Sequence, residues 1–135
     1  KPMVEINAYS KAKDGGKKLS ANFTVKEFAC KDGSDAVLTA PRLVMVLQSI
    51  RSHFAAPVVI HSAYRTPQYN AEVGGAAHSQ HCYGTAADIS VRGQTPAAVA
   101  AYARELMPDW GGVGVYAGQG FTHIDVRETR SDWTG

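Results

Sequence analysis

The chain has 135 residues, 44% of them hydrophobic and 19% charged, which suits one globular domain long enough to bury a core without staples. No apolar run approaches the ~20 residues of a membrane span, and residues 1–20 are too polar for a signal peptide. A net charge of +2, with basic residues scattered apart from Lys11, Lys13, Lys17 and Lys18, speaks against nucleic acid as a partner.

In chain order, Asp14-Gly15-Gly16 is a turn signal, expected to join two short strands around Ile6 and Leu19. Residues 1–19 read as an N-terminal extension packed on a domain formed by residues 20–135. The segment 23–29 leads into a second turn at Lys31-Asp32-Gly33. Thr39 is expected to cap a helix with Pro41 in its first turn, where the missing N–H does no harm. Leu43, Leu47, Ile50 and Phe54, with Val46 beside them, give that helix a buried face of about four turns. The β-branched run 57–60 predicts an interior strand, and 66–73 a brief helix before Gly74-Gly75. Residues 86–91 read as a second central strand. Thr95-Pro96 repeats the cap-then-proline start, and Val99, Tyr102, Ala103 and Leu106 form the buried stripe of another helix. Strands at 112–116 and 121–126 are separated by the hairpin-like Ala117-Gly118-Gln119-Gly120. The expected fold is α+β: a small single domain with helices packed against a mostly antiparallel sheet.

The chemistry concentrates in Ser79-Gln80-His81-Cys82-Tyr83-Gly84-Thr85-Ala86-Ala87-Asp88. His81 and Asp88 lie seven apart across a stretch that does not read as regular helix. Gly84 can supply the bend, since glycine adopts positive φ at no steric cost. A loop histidine and a strand aspartate can then converge on one metal ion. Strand alternation in Thr122-His123-Ile124-Asp125 sends His123 and Asp125 to one face. Two imidazoles and one carboxylate form a three-ligand zinc set that leaves a fourth position for water and so suits hydrolysis; a structural site would more often close with four protein ligands. Cys30 and Cys82 have no zinc-type spacing and are left either paired or free.

The pattern Ser79-x-His81-x-x-Gly84-x-Ala86-x-Asp88, followed by Phe121-x-His123-Ile124-Asp125, resembles the D-Ala-D-Ala carboxypeptidase family of zinc metallopeptidases, in its short single-domain phage or prophage branch. Further points of likeness are Phe23-x-Val25-x-Glu27-Phe28-Ala29-Cys30, Ser62-Ala63-Tyr64-Arg65-Thr66-Pro67-x-Tyr69-Asn70, Gly74-Gly75 and Arg130-x-x-Trp133. They cover residues 20–133. The resemblance implies a hedgehog-like α+β fold with a zinc cleft, His81, Asp88 and His123 as metal ligands, and hydrolysis of peptide bonds in bacterial peptidoglycan. It implies action outside the cytoplasm by a monomer, either as a D,D-carboxypeptidase or as an endopeptidase of the endolysin type.

By the same resemblance Arg65 sits beside the active site, where a guanidinium suits a substrate carboxylate or an oxyanion. Ser79 is expected either to bond a substrate carbonyl or to fix the loop. The general base departs from the family: relatives place an acid three positions, or a histidine two positions, before the last ligand, and here those positions are Gly120 and Phe121. Asp125 is the replacement candidate, as a base or as a group orienting a histidine ligand, and His78 is a further candidate. The competing function is a zinc-binding but catalytically silent module for wall recognition. Among other side chains, His61 is expected in the cleft or the core, and Tyr64, Tyr83 and Tyr116 as cleft walls. Trp110 and Trp133 read as core or lid aromatics.

Overall fold

The computed structural model describes residues 4–135; residues 1–3 of the expected extension lie outside the described residues. The elements run β1 Asn7–Ser10, α1 Lys11–Asp14, β2 Lys18–Ser20, β3 Phe23–Thr24, β4 Ala36–Thr39, α2 Pro41–Phe54, β5 Val58–Ser62, α3 Pro67–Glu72, β6 Ala86–Val91, α4 Pro96–Leu106, β7 Gly112–Tyr116, β8 Phe121–Asp125 and β9 Ser131–Thr134. Short 3₁₀ helices occupy Val25–Phe28 and Gln80–Tyr83.

The main sheet has the order β5-β6-β8-β7-β9. Its first three pairings are antiparallel and β7–β9 is parallel. Two small antiparallel pairs, β1–β4 and β2–β3, lie outside it. The α+β expectation therefore holds, with a sheet dominated by antiparallel neighbours.

The two long helices, α2 and α4, form where the chain supplies both a start and an apolar stripe. Thr95 Oγ1 accepts from the Ala98 N–H and Pro96 opens α4, whose Val99, Ala100 and Ala103 are buried. In α2 the buried set is Leu43, Val44, Val46, Leu47 and Ile50, recurring every three to four residues on one face. These residues join Ile60, Ala87, Ile89, Val91, Val113 and Ile124 of the sheet in a single core with Phe23 and Phe28. Each of the valine, leucine, isoleucine and phenylalanine side chains, fully buried, contributes roughly 1.5–3 kcal/mol relative to exposure.

Three expectations are corrected. β1 and β2 do not form a hairpin: β1 pairs with β4, Asn7 opposite Thr39, and β2 pairs with β3. The Ser10 hydroxyl caps Lys13 N and turns the intervening residues into α1, so the two strands diverge. Thr39 does not cap α2. It is held in the β4 ladder and buried, Ala40 takes the cap position, and the Thr39 hydroxyl has no hydrogen-bond partner among the described residues. The 57–60 run is not an interior strand but the sheet's edge, with Val59 half exposed at 52%. A β-branched run reports β propensity, and an edge strand with one covered face meets that preference as well as a central one.

Candidate metal centre

The sheet sets two of the three predicted ligands side by side. β6 and β8 are antiparallel with Asp88 opposite His123, and the two-residue period puts Asp125 on the same face as His123. His81 comes from outside the sheet, on the 3₁₀ helix at 80–83. That turn is fixed by Ser79, whose Oγ accepts from the His81 N–H at 3.2 Å, and by Arg65, whose backbone N–H donates to the His81 carbonyl at 3.1 Å. It ends at Gly84, where φ is +76° and an added Cβ would sit 2.6 Å from the Leu38 carbonyl oxygen. The bend needs both glycine's freedom and its lack of a side chain.

His81, Asp88 and His123 each present a ligand atom within 4.8 Å of the others, and all three are buried. His81 Nε2 lies 3.3 Å from Asp88 Oδ2, and His123 Nδ1 lies 3.0 Å from Asp88 Oδ1. The other nitrogen of each ring is engaged. His81 Nδ1 is 2.7 Å from the Ala63 carbonyl oxygen; a carbonyl only accepts, so Nδ1 carries a proton and Nε2 is the ring nitrogen turned toward Asp88. His123 Nε2 is 2.8 Å from Asp125 Oδ2, which leaves Nδ1 facing Asp88. Cys82 is not part of the cluster.

Electrostatics follow from this packing. Burial opposes the charge on His123, yet the hydrogen bonds to Asp125 and Asp88 outweigh it and raise the imidazole pKa. Burial likewise favours the neutral acids at Asp88 and Asp125. Bonds from His123 and His81 to the first, and from His123 and Arg127 to the second, hold both well below the usual carboxylate range. The donor set fits a divalent ion: a carboxylate already ionised and two imidazoles whose outer nitrogens are anchored, as zinc ligands usually are. Mixed imidazole and carboxylate ligation is compatible with zinc.

The triad lines a cleft of about 600 Å³, together with Arg65, His78, Ser79, Tyr116, Arg127 and Trp133. Arg65 spans one wall: Nε donates to Ser62 Oγ at 3.0 Å, Nη1 to Asn70 Oδ1 at 3.2 Å, and Nη2 lies 3.5 Å from Asp88 Oδ2. On the other wall the Trp133 ring lies 5.0 Å from the His123 ring, and its Nε1–H donates to the Tyr116 hydroxyl at 2.8 Å. Gly114 makes room for it, since a Cβ there would come within 2.6 Å of the indole.

Of the residues singled out in the sequence, Arg65, Ser79 and His78 line this cleft with the triad, whereas Asp125 does not. Asp125 is fully buried, with Oδ1 accepting from the Gly112 N–H, the Arg127 N–H and Arg127 Nε, and Oδ2 bonded to His123 and Arg127 Nη2. His61 is in neither cleft nor core: it is exposed, bonded to Ser90 Oγ at 2.8 Å. Of the three tyrosines only Tyr116 lines the cleft, stacked on Phe121 with centroids 4.5 Å apart. Trp110 is partly buried against the core. Sequence reasoning missed Arg127, although the spacing of 123, 125 and 127 carries the strand's period onward. It missed the positioning roles of Asn70 and the Ala63 carbonyl too, and for the latter no signal exists, because every residue has a carbonyl.

Against known proteins, a family model described as Peptidase M15 matches residues 19–125. None of the curated proteins matches the chain.

Proposed function

Because the chain belongs to the peptidase M15 family, we propose that His81, Asp88 and His123 hold a zinc ion and that the cleft hydrolyses peptide bonds in bacterial peptidoglycan. The observation that supports this most is the convergence of three ligand atoms within 4.8 Å on the wall of an open cleft. When bound, zinc supplies Lewis acidity, which eases loss of a proton from water and polarises a carbonyl.

The protein's own groups do the rest. The Ala63 carbonyl and the Asp125 carboxylate fix the two imidazoles in tautomer and angle. Asp125 has every oxygen committed inside the fold, so in this reading it positions His123 and is not the base. Arg65, with Nη2 beside Asp88, is placed to meet negative charge developing on the substrate oxygen. Ser79 fixes the His81 turn. Gly120 and Phe121 offer no proton acceptor. Among cleft-lining side chains outside the triad, His78 is the one imidazole. It accepts a proton from the attacking water and returns it to the departing amine, as a C–O bond forms and the C–N bond breaks.

The enzyme is a D,D-carboxypeptidase or an endopeptidase, working as a monomer outside the cytoplasm in a phage or prophage setting. Mass analysis of muropeptides digested by zinc-loaded protein tests the reading. New smaller products that vanish with His123→Ala support it, and their masses name the bond. His78→Gln is expected to lower turnover with metal content unchanged; undiminished turnover removes His78. Tight binding of muropeptides without products would instead support a silent wall-recognition module, the alternative that the glycine at 120 favours.

A further inference from the structure

The cleft carries two guanidiniums, Arg65 and Arg127, against one carboxylate, the proposed ligand Asp88. They stand at the two ends of a contact chain that runs Arg65–Asp88–His123–Asp125–Arg127, so the ligand triad lies between them. Their donors are used differently. All three nitrogens of Arg65 have partners in Ser62, Asn70 and Asp88. Arg127 gives one edge to Asp125, Nε to Oδ1 at 2.8 Å and Nη2 to Oδ2 at 2.6 Å. Its Nη1 has no partner among the described residues. A guanidinium has five N–H donors in a planar fork, and two parallel donors match one carboxylate. With the Nε–Nη2 edge occupied, the Nη1–Nη2 edge remains for a second carboxylate.

That edge is also prepared for binding. The side chain is 31% exposed, its carboxylate partner is fully buried, and the guanidinium carbon lies 5.3 Å from the centre of the Trp133 ring. A guanidinium clamped on one edge and stacked on an indole loses little further freedom when a ligand arrives.

Resting on the peptidase reading above, we propose that Arg127 binds a free carboxylate of the substrate through its Nη1–Nη2 edge, which makes the preferred substrate an acidic peptide. Arg65, whose Nη2 alone lies beside Asp88, serves the reacting carbonyl. Arg127 is then the residue that reads the peptide, on the Trp133 wall.

The test uses the zinc-loaded protein and cleaved stem-type peptides, which bind without turning over. Each free-acid peptide is paired with versions amidated at the terminus or at the internal carboxylate, and binding is followed by Trp fluorescence. Wild type is expected to bind the acid about 10- to 100-fold more tightly than one of the two amides, the range given by losing one charge-assisted bidentate contact. Arg127→Gln removes that ratio. Arg127→Lys, which keeps a cation beside Asp125 and so guards against misfolding, narrows it. The inference is overturned if wild type binds acid and amides alike, or if Arg127→Gln weakens all peptides equally, as a purely structural role would. Muropeptides left intact by wild type count against the peptidase reading and not against this ratio, which is measured by binding alone.

Discussion

His81 and His123 face the same carboxylate but are held by opposite means. His81 rides on a 3₁₀ turn, and its ring is fixed by a neutral backbone carbonyl at 2.7 Å. His123 rides on a central strand, and its ring is fixed by a buried, ionised side chain at 2.8 Å. The loop arm offers Nε2 and the sheet arm offers Nδ1. A carbonyl sets ring angle and tautomer; a carboxylate does so as well, and also raises the basicity of the ring it holds. The loop histidine therefore depends on backbone shape, and the strand histidine on charge.

That contrast can be broken at either arm. Asp125→Asn keeps the size of the support and removes its charge; it is expected to weaken zinc binding about 10- to 100-fold, read by competition with a chromogenic chelator. Unchanged affinity would show that the carboxylate does no more for His123 than a carbonyl does for His81. Gly84→Ala acts on the other arm, through backbone alone. A side chain at φ +76° against the Leu38 carbonyl is expected to lower the unfolding free energy by about 1–3 kcal/mol, measured by denaturant titration; a wild-type midpoint would mean the turn adapts freely.

The smallest expected effect is in pH. Asp88 and Asp125 are depressed, so in metal-free protein their stabilisation is full above pH ~4 and is lost as pH falls below it. His123 is raised, so its contribution is full below pH ~6.5 and is lost as pH rises through the elevated value. Chelator-treated protein should therefore melt highest between pH ~4 and ~6.5. Zinc, which needs a neutral imidazole, should abolish the alkaline loss. Melting curves of the two forms that fall in parallel above pH ~7 would contradict the coupling.

How much of this was legible in the sequence depends on the range over which each contact acts. Helix α4 was readable because Thr95, Pro96 and the Val99–Ala103 stripe are neighbours in the chain. His81, Asp88 and His123 stood out because histidine, glycine and aspartate at fixed spacing are rare without a common purpose, and the structure brings the three together. The pairing of β1 with β4 was not legible, since Asn7 and Thr39 meet across 32 residues and nothing local in either announces the other. Thr39 misled for a related reason: its sequence is that of a cap, but the strand ladder claimed its backbone first. For Arg127 the two-residue spacing from His123 and Asp125 is a faint signal, and it gains meaning only once Asp125 is seen beneath the guanidinium.

Asp88 and His123 occupy facing positions on adjacent strands, so the hydrogen-bond ladder that builds the core also sets their alignment. Sliding one strand past the other by a single step would turn one of these side chains to the far side of the sheet. Correct strand alignment and the presentation of Asp88 and His123 side by side are thus one event.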